Sequence, residues 1–377
     1  PFSMGYVLIS FLSWLILRFL VLRRLPCGRP ARTVLSCLFF LPILYYAYLQ
    51  ASCFIVLPEP SFGTAILMGA WCGTVLIAAP PASAGVLCLM RFGRKKSMRR
   101  VGAGACLIFS LFFSSVLVLC GLREGLSVPS VQEVSVNLPA GCDALDGIRM
   151  AVISDLHLGC ATPPGWLEET LRRIKEARAD IILLDGDLSD GRPEDRRSDL
   201  ARLGTLEAPL GVWAVPGNHE YYVDYAGIMA ALPDSVHVLA NSHARLRTSR
   251  GTFVLAGVTD RKARARGLPG PDIEKALSGL SGDGAIGPVL LMSHRPAGWS
   301  RNAARGVVLQ ICGHRHGGQF IWNRLFLRLI GRRYLHGLFE RNSSLLWVGS
   351  GASQWFGFPL RVGVPPEIAV LNLHAGS

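Results

Sequence analysis

The chain of 377 residues is 50% hydrophobic and only 17% charged, with a net charge of +13, a combination that excludes an ordinary water-soluble globule. The charge is unevenly spread: residues 1–122 carry eleven Lys and Arg against one acid, Glu59, while the remainder carries 28 against 25. Basic charge gathered beside apolar runs is what membrane orientation requires, so no nucleic-acid partner is expected.

Four apolar runs open the chain, at residues 2–22, 34–57, 62–90 and 101–122. Each reaches the roughly 20 residues that cross about 30 Å of hydrocarbon. Residues 1–122 are therefore expected to form a four-span α-helical membrane anchor with the lipid bilayer as partner. The third run contains Pro80 and Pro81, which leaves its straightness open. Arg18, near the end of the first run, is expected to snorkel toward the interface. Basic residues follow the first run (Arg23, Arg24, Arg29, Arg32) and the third (Arg91, Arg94, Lys95, Lys96, Arg99, Arg100), whereas the loop between the second and third holds only Glu59. By the positive-inside rule both basic loops are cytoplasmic, so everything after residue 122 is expected on the non-cytoplasmic face of the cell's inner membrane. No basic residue precedes the first run, which reads as a span and not as a secretory signal. Internal acids and histidines of the kind that line ion paths are nearly absent, which favours an anchor over a transporter. Seven of the ten cysteines lie in or beside these runs. The other three, Cys142, Cys160 and Cys312, show neither a disulfide framework nor zinc-knuckle spacing, and a single bridge among them stays open.

Residues 123–146 read as a linker and first strand, and 147–377 as a separate domain. Short β-branched runs at 148–153, 181–184, 212–215, 253–258, 289–292 and 307–311 read as buried strands, with an amphipathic helix at 166–177. Nearly every run ends in Asp, Asn or His. The first yields Asp155-Leu156-His157, the second Gly186-Asp187 with Asp190, and the third Gly217-Asn218-His219-Glu220. Later runs yield His294 and then Gly313-His314-Arg315-His316. Ligand-type side chains at the carboxyl ends of several strands converge on one sheet edge, where open α/β folds place their sites. Mixed carboxylate, amide and imidazole donors suit divalent Mn, Fe, Zn, Mg or Co, and the lack of thiolates argues against a closed structural zinc site. The donors suffice for two ions, which together clamp a phosphoryl group and activate a water.

Asp-x-His, Gly-Asp-x-x-Asp, Gly-Asn-His-Glu, a lone His and Gly-His-x-His, in this order, resemble the calcineurin-like metallophosphoesterases. The resemblance covers about residues 147–374, and the tail at 349–367 looks like the membrane-attached bacterial branch of that family. It implies an α/β (α+β) sandwich of two β-sheets flanked by helices. It further implies that Asp155, His157 and His316 hold one metal, that Asp187 bridges to a second, and that Asn218, His294 and His314 complete the second site. His219 would act on the leaving oxygen, with Asp190 orienting its imidazole. Arg315 would point away or touch substrate. A single histidine here would more often be structural, and it is the five ordered blocks together that carry the metal reading. Glu220 reads as a loop hydrogen-bonder, and Asp185 as facing away from Asp187.

After the last block, Phe320, Ile321, Trp322, Leu325, Phe326, Leu327, Leu329 and Ile330 are interleaved with Arg324, Arg328, Arg332 and Arg333. Two alternatives stay open for this stretch: a segment lying on the bilayer, or one packed in the core with its arginines exposed. The function expected is a membrane-anchored, dinuclear-metal phosphohydrolase acting on a phosphate-containing substrate, with a lipid-linked phosphate as one candidate. A nucleotide-lipid pyrophosphatase is the alternative if the domain is cytoplasmic, and a non-catalytic metal-binding sensor is the other.

Overall fold

The computed structural model describes residues 2–54, 58–93, 95–280, 287–354 and 358–376. The end of the second apolar run at 55–57, Arg94, and residues 355–357 of the tail lie outside the described residues. The chain divides into two compact units, residues 1–124 with 357–360, and residues 125–356 with 361–377.

The first unit is helical. Helix α1 (Phe2–Ile16) runs into a π-helical turn (Leu17–Val21) and a 3-10 turn (Leu22–Arg24), followed by α2 (Arg29–Phe54), α3 (Phe62–Phe92) and α4 (Lys96–Gly125). Among the described residues three segments, Arg29–Leu49, Phe62–Phe92 and Lys96–Gly125, are long and apolar enough to cross a membrane. The first run differs: fifteen residues of α-helix are followed by five of π-helix. Pro80 and Pro81 sit inside an unbroken α3, where the Ser83 hydroxyl donates to the Ala79 carbonyl at 2.6 Å. Small residues along α3, among them Gly69, Gly73, Ala78 and Ala82, are buried, as close helix approach requires. Arg18 does more than extend outward. Its Nη1 donates to Ser36 Oγ at 2.7 Å, and Trp14 Nε1 donates to the Ser36 carbonyl at 3.0 Å, so one serine on α2 gathers both donors.

The second unit runs β1 (Ser130–Ala140), β2 (Arg149–Ile153), α5 (Trp166–Glu176), β3 (Ile181–Asp185), α6 (Pro193–Arg202), β4 (Val212–Val215), α7 (Tyr225–Ala231) and β5 (Val236–Val238). It continues with β6 (Ser242–Thr248), β7 (Gly251–Gly257), α8 (Ile273–Ala276), β8 (Val289–Met292), α9 (Trp299–Ala303) and β9 (Val307–Cys312). The last elements are α10 (Ile321–Leu329), β10 (Gly337–Arg341), β11 (Ser344–Val348) and β12 (Glu367–Gly376). One six-stranded sheet has the order β1-β12-β2-β3-β4-β5 and the other β10-β11-β9-β8-β7-β6. Within them β2, β3, β4 and β5 are parallel, as are β7, β8, β9 and β11.

The core lies between the sheets, where Val152 and Leu183 of the first meet Leu255, Leu290 and Ile311 of the second. A second cluster joins Trp166, Leu171, Leu200 and Ile228 of the helices to Ile153, Ile182 and Leu184. Strands covered on both faces must be apolar on both, which is why β3 reads as a continuous run instead of an alternation. This is the two-sheet sandwich flanked by helices that the resemblance implies. The β10–β11 hairpin was not foreseen. Its Arg341↔Ser344 pairing leaves a two-residue loop, and Asn342 and Ser343 both have positive φ, 50° and 55°, the conformation a tight hairpin needs.

Candidate active site

Five neighbouring strands end at one edge of the sandwich, and the polar residues follow them: Asp155 and His157 after β2, Asp187 after β3, Asn218 and His219 after β4, His294 after β8, His314 and His316 after β9. The backbone is strained there. Asp155, His157, Asp187, His314 and His316 all adopt left-handed conformations, with φ between 42° and 67°. Each such L-residue costs about 1 kcal/mol, and strain of this kind persists only where the surroundings impose it. The loops also come too close for side chains: a Cβ at Gly217 would collide with Asp187 Oδ1, and one at Gly313 with Asp155 Oδ2.

The structure brings all seven residues predicted as ligands to this edge and leaves them buried. Single ligand atoms of Asp155, His157 and His316 lie within 4.8 Å of one another, as do those of Asp187, His294 and His314, and those of His157, Asp187 and His219. The imidazoles are oriented from behind. His157 Nδ1 lies 3.1 Å from Asp190 Oδ2, His294 Nδ1 2.7 Å from the Asp185 carbonyl, and His316 Nδ1 3.2 Å from the Ser353 carbonyl. Their Nε2 atoms therefore turn inward. His294 Nε2 stands 3.0 Å from Asp187 Oδ2, His316 Nε2 3.2 Å from Asp155 Oδ1, and the Nε2 atoms of His157 and His316 face each other at 3.2 Å. Imidazole nitrogens braced by carbonyls and carboxylates, with carboxylate oxygens between them, are a donor set that fits divalent cations.

The electrostatics have the same origin. Burial pushes the His157 imidazole down, but Asp190, then Asp155 and Asp187, outweigh it and hold it well above its usual value. His294 is likewise raised to about 10, against burial, chiefly by Asp187. For His316 burial wins over Asp155 and lowers it to about 4. Burial works to raise Asp155 and Asp187, yet the neighbouring histidines hold both well below the carboxylate range. Asp185 is the exception: burial, reinforced by the charges of Asp155 and Asp187 and only partly offset by His294, pushes it well above the usual carboxylate range.

His219 sits at the more open side of the site. Its Nδ1 bonds Asp190 Oδ1 and its Nε2 lies 3.9 Å from Asp187 Oδ2. Asp190 therefore serves His157 and His219 at once, one oxygen each. Glu220 accepts from the backbone N–H groups of Gly217 (2.7 Å), Leu188 (2.7 Å) and Asp187 (3.1 Å), stitching the third block to the second.

Two buried arginines were missed in the sequence. Arg295 pairs with Asp260 and donates to His314 Nε2 and, at 2.6 Å, to Asn218 Oδ1. Arg361 reaches the carbonyls of Ser350 (2.8 Å), Val364 (3.1 Å) and Ser353, and approaches His316 Nδ1 at 3.3 Å. The position of Arg295 directly after His294 was the available hint. Arg361 lies 45 residues beyond His316, so nothing in the sequence links the two.

The profile of the calcineurin-like phosphoesterase family matches residues 148–318, a span that contains the seven predicted ligands together with Asp190 and His219. An uncharacterized metallophosphoesterase of Helicobacter pylori is 34% identical over 257 residues, covering 67% of this chain and 66% of that protein. The chain belongs to the calcineurin-like metallophosphoesterases. This places it among the metal-dependent phosphoester hydrolases. A "transmembrane protein with metallophosphoesterase domain" of Danio rerio is 28% identical over 302 residues, covering 76% of this metallophosphoesterase and 68% of its own length. The Bos taurus protein of the same description is 29% identical over 279 residues, with 71% and 62% covered. The chain thus spans about two thirds of the length of these relatives.

Proposed function

We propose that the chain is a membrane-anchored phosphohydrolase working with two divalent cations. Asp155, His157 and His316 hold one, Asn218, His294 and His314 hold the other, and Asp187 bridges them. The observation that carries the proposal is the inward turn of three braced Nε2 atoms toward Asp155 and Asp187. When bound, such ions supply Lewis acidity and lower the pKa of a shared water.

The remaining work falls to the chain's own residues. Burial and then Arg332, Arg295 and Arg261 depress the Arg315 guanidinium, and positive charge gathered in this way beside the last motif would draw an anionic phosphate. As a water that has given up one proton to solvent adds to phosphorus, the bond to the leaving oxygen breaks, that oxygen takes a proton from His219 Nε2, and the ring, fixed by Asp190 through Nδ1, regains its proton from solvent. Because Asp190 also holds His157, one carboxylate sets both the ligand and the proton donor. The substrate class is a phosphoester or pyrophosphate in a molecule at the bilayer, with a lipid-linked phosphate favoured by the apolar helices of the first unit. The charge pattern of the loops favours the non-cytoplasmic face for the α/β unit.

The test is hydrolysis of chromogenic phosphomonoesters and diesters by the full chain in lipid discs. Turnover is expected to vanish with a chelator, to return with Mn, and to be lost in Asp187→Asn and His219→Ala. Metal uptake without turnover of any phosphate substrate would support the sensor reading instead. A reporter fused after residue 377 and found in the cytosol would remove the topological part and bring forward the nucleotide-lipid pyrophosphatase.

A further inference from the structure

The stretch after the last metal block is not packed in the core. Helix α10 contains no buried residue, and Ile321, Trp322, Leu325, Phe326, Leu329 and the following Ile330 are between 42% and 86% exposed. The first five recur at i, i+1, i+4, i+5 and i+8, so they form one stripe along the helix. An exposed stripe of this size is a binding surface in most soluble domains. The base of the helix is nonetheless firmly tied. Ile321 N donates to the Val362 carbonyl at 3.0 Å, Asn323 Nδ2 to the Gly318 carbonyl at 2.8 Å, and Arg324 packs against Gly318. The helix starts five residues after His316.

The charge around the stripe selects its occupant. Arg324, Arg328, Arg332 and Arg333 accompany it, and no acidic residue occurs between His314 and Phe339. A neutral protein groove would satisfy the apolar face but leave this charge unanswered. An anionic bilayer surface answers both, since acyl chains accept the stripe and headgroup phosphates accept the guanidinium groups. The chain's own apolar helices, three of them long and apolar enough to cross a membrane among the described residues, would bring a bilayer to the same chain.

We propose that α10 is an interfacial helix, its Trp322–Leu329 stripe sunk into an anionic lipid leaflet with the arginines at headgroup level. Seated in this way it brings the mouth of the metal site to the membrane surface, where a lipid-borne phosphate would present itself. The seating itself is independent of catalysis.

The experiment places a photoreactive benzoylphenylalanine at Leu325 or Leu329 of the full chain in lipid discs, with a third label at exposed Thr252 as control. Mass spectrometry should find phospholipid adducts at 325 and 329 and none at 252. Their yield should rise roughly tenfold when a third of the lipid is anionic, in line with four basic side chains at a charged surface. It should fall back in Arg324→Glu/Arg328→Glu/Arg332→Glu/Arg333→Glu. Adducts to this chain's own peptides or to a second copy overturn the proposal, as does the absence of lipid adduct in a chain that keeps its thermal transition. On the unlabelled chain, amide exchange over residues 321–330 should slow in anionic discs relative to zwitterionic ones, and unchanged exchange counts against it. Lipid adducts without phosphoester turnover would leave this inference standing while sinking the hydrolase reading.

Discussion

Each half of the site has a buried arginine, and the two act in opposite ways. Arg361 lies behind the Asp155–His157–His316 half and spends its donors mainly on the carbonyls of the 350–364 loop, so it fixes the wall against which His316 is braced. Arg295 reaches the other half and donates to Asn218 Oδ1 and to His314 Nε2. If the two halves each hold a cation as proposed, the first would offer donors braced from behind, whereas in the second a cation taking Asn218 Oδ1 would compete with a guanidinium. The lesson is that two clusters with similar donor sets need not bind alike, because the group standing behind or among the donors sets the cost of filling them.

The sharpest way to break this comparison is to remove what the halves share. Asp187→Asn should lower hydrolysis by about 10³-fold or more, since several kcal/mol of charge stabilisation depend on the ions. Metal content measured on the same variant should fall in both halves; loss from only one would show that Asp187 does not bridge them. His219→Ala should cost about 10²-fold or more in kcat with metal content unchanged, which separates proton delivery from metal holding. Depleted metal in that variant would make His219 a ligand, an outcome its distance to Asp187 leaves available.

Stability distinguishes the arginines. Arg361→Met strips buried carbonyls of Ser350, Ser353 and Val364 of a donor, at roughly 1 to 3 kcal/mol for each group left unpaired, and should lower the thermal midpoint of the α/β unit. An unchanged midpoint would mean that the loop closes without it. Arg295→Gln is the smallest and most specific change: calorimetry should show the weaker of two metal-binding phases tightening by about tenfold, or 1.4 kcal/mol, while the stronger one stays put. Two equal phases in the unaltered chain would refute the asymmetry.

Much of the site was legible in advance because its residues follow strands. A β-branched run closed by Asp-x-His or Gly-Asn-His-Glu announces both the strand and the ligand it delivers, and β2, β3, β4, β8 and β9 all behave this way. Glu220 was readable as a loop hydrogen-bonder, but not as the acceptor of three converging N–H groups. Asp190 was paired with His219 from the sequence alone; that it also holds His157 depends on two loops meeting. The first apolar run was legible as helix but not as one that changes to π-helical geometry after Ile16, since no proline or glycine marks the change.

The hydrophobic pattern was sufficient for the division into an apolar helical part and a domain of strands that end in polar blocks, because periodicity and strand ends are local properties of the chain, while the sandwich and the choice of seven converging side chains came from the resemblance of the ordered motifs to a known family. Tertiary structure alone decided which arginine stands behind the donors and which among them. It alone left the stripe of α10 uncovered. Both are set by packing between residues far apart in sequence, where no local pattern constrains the partner.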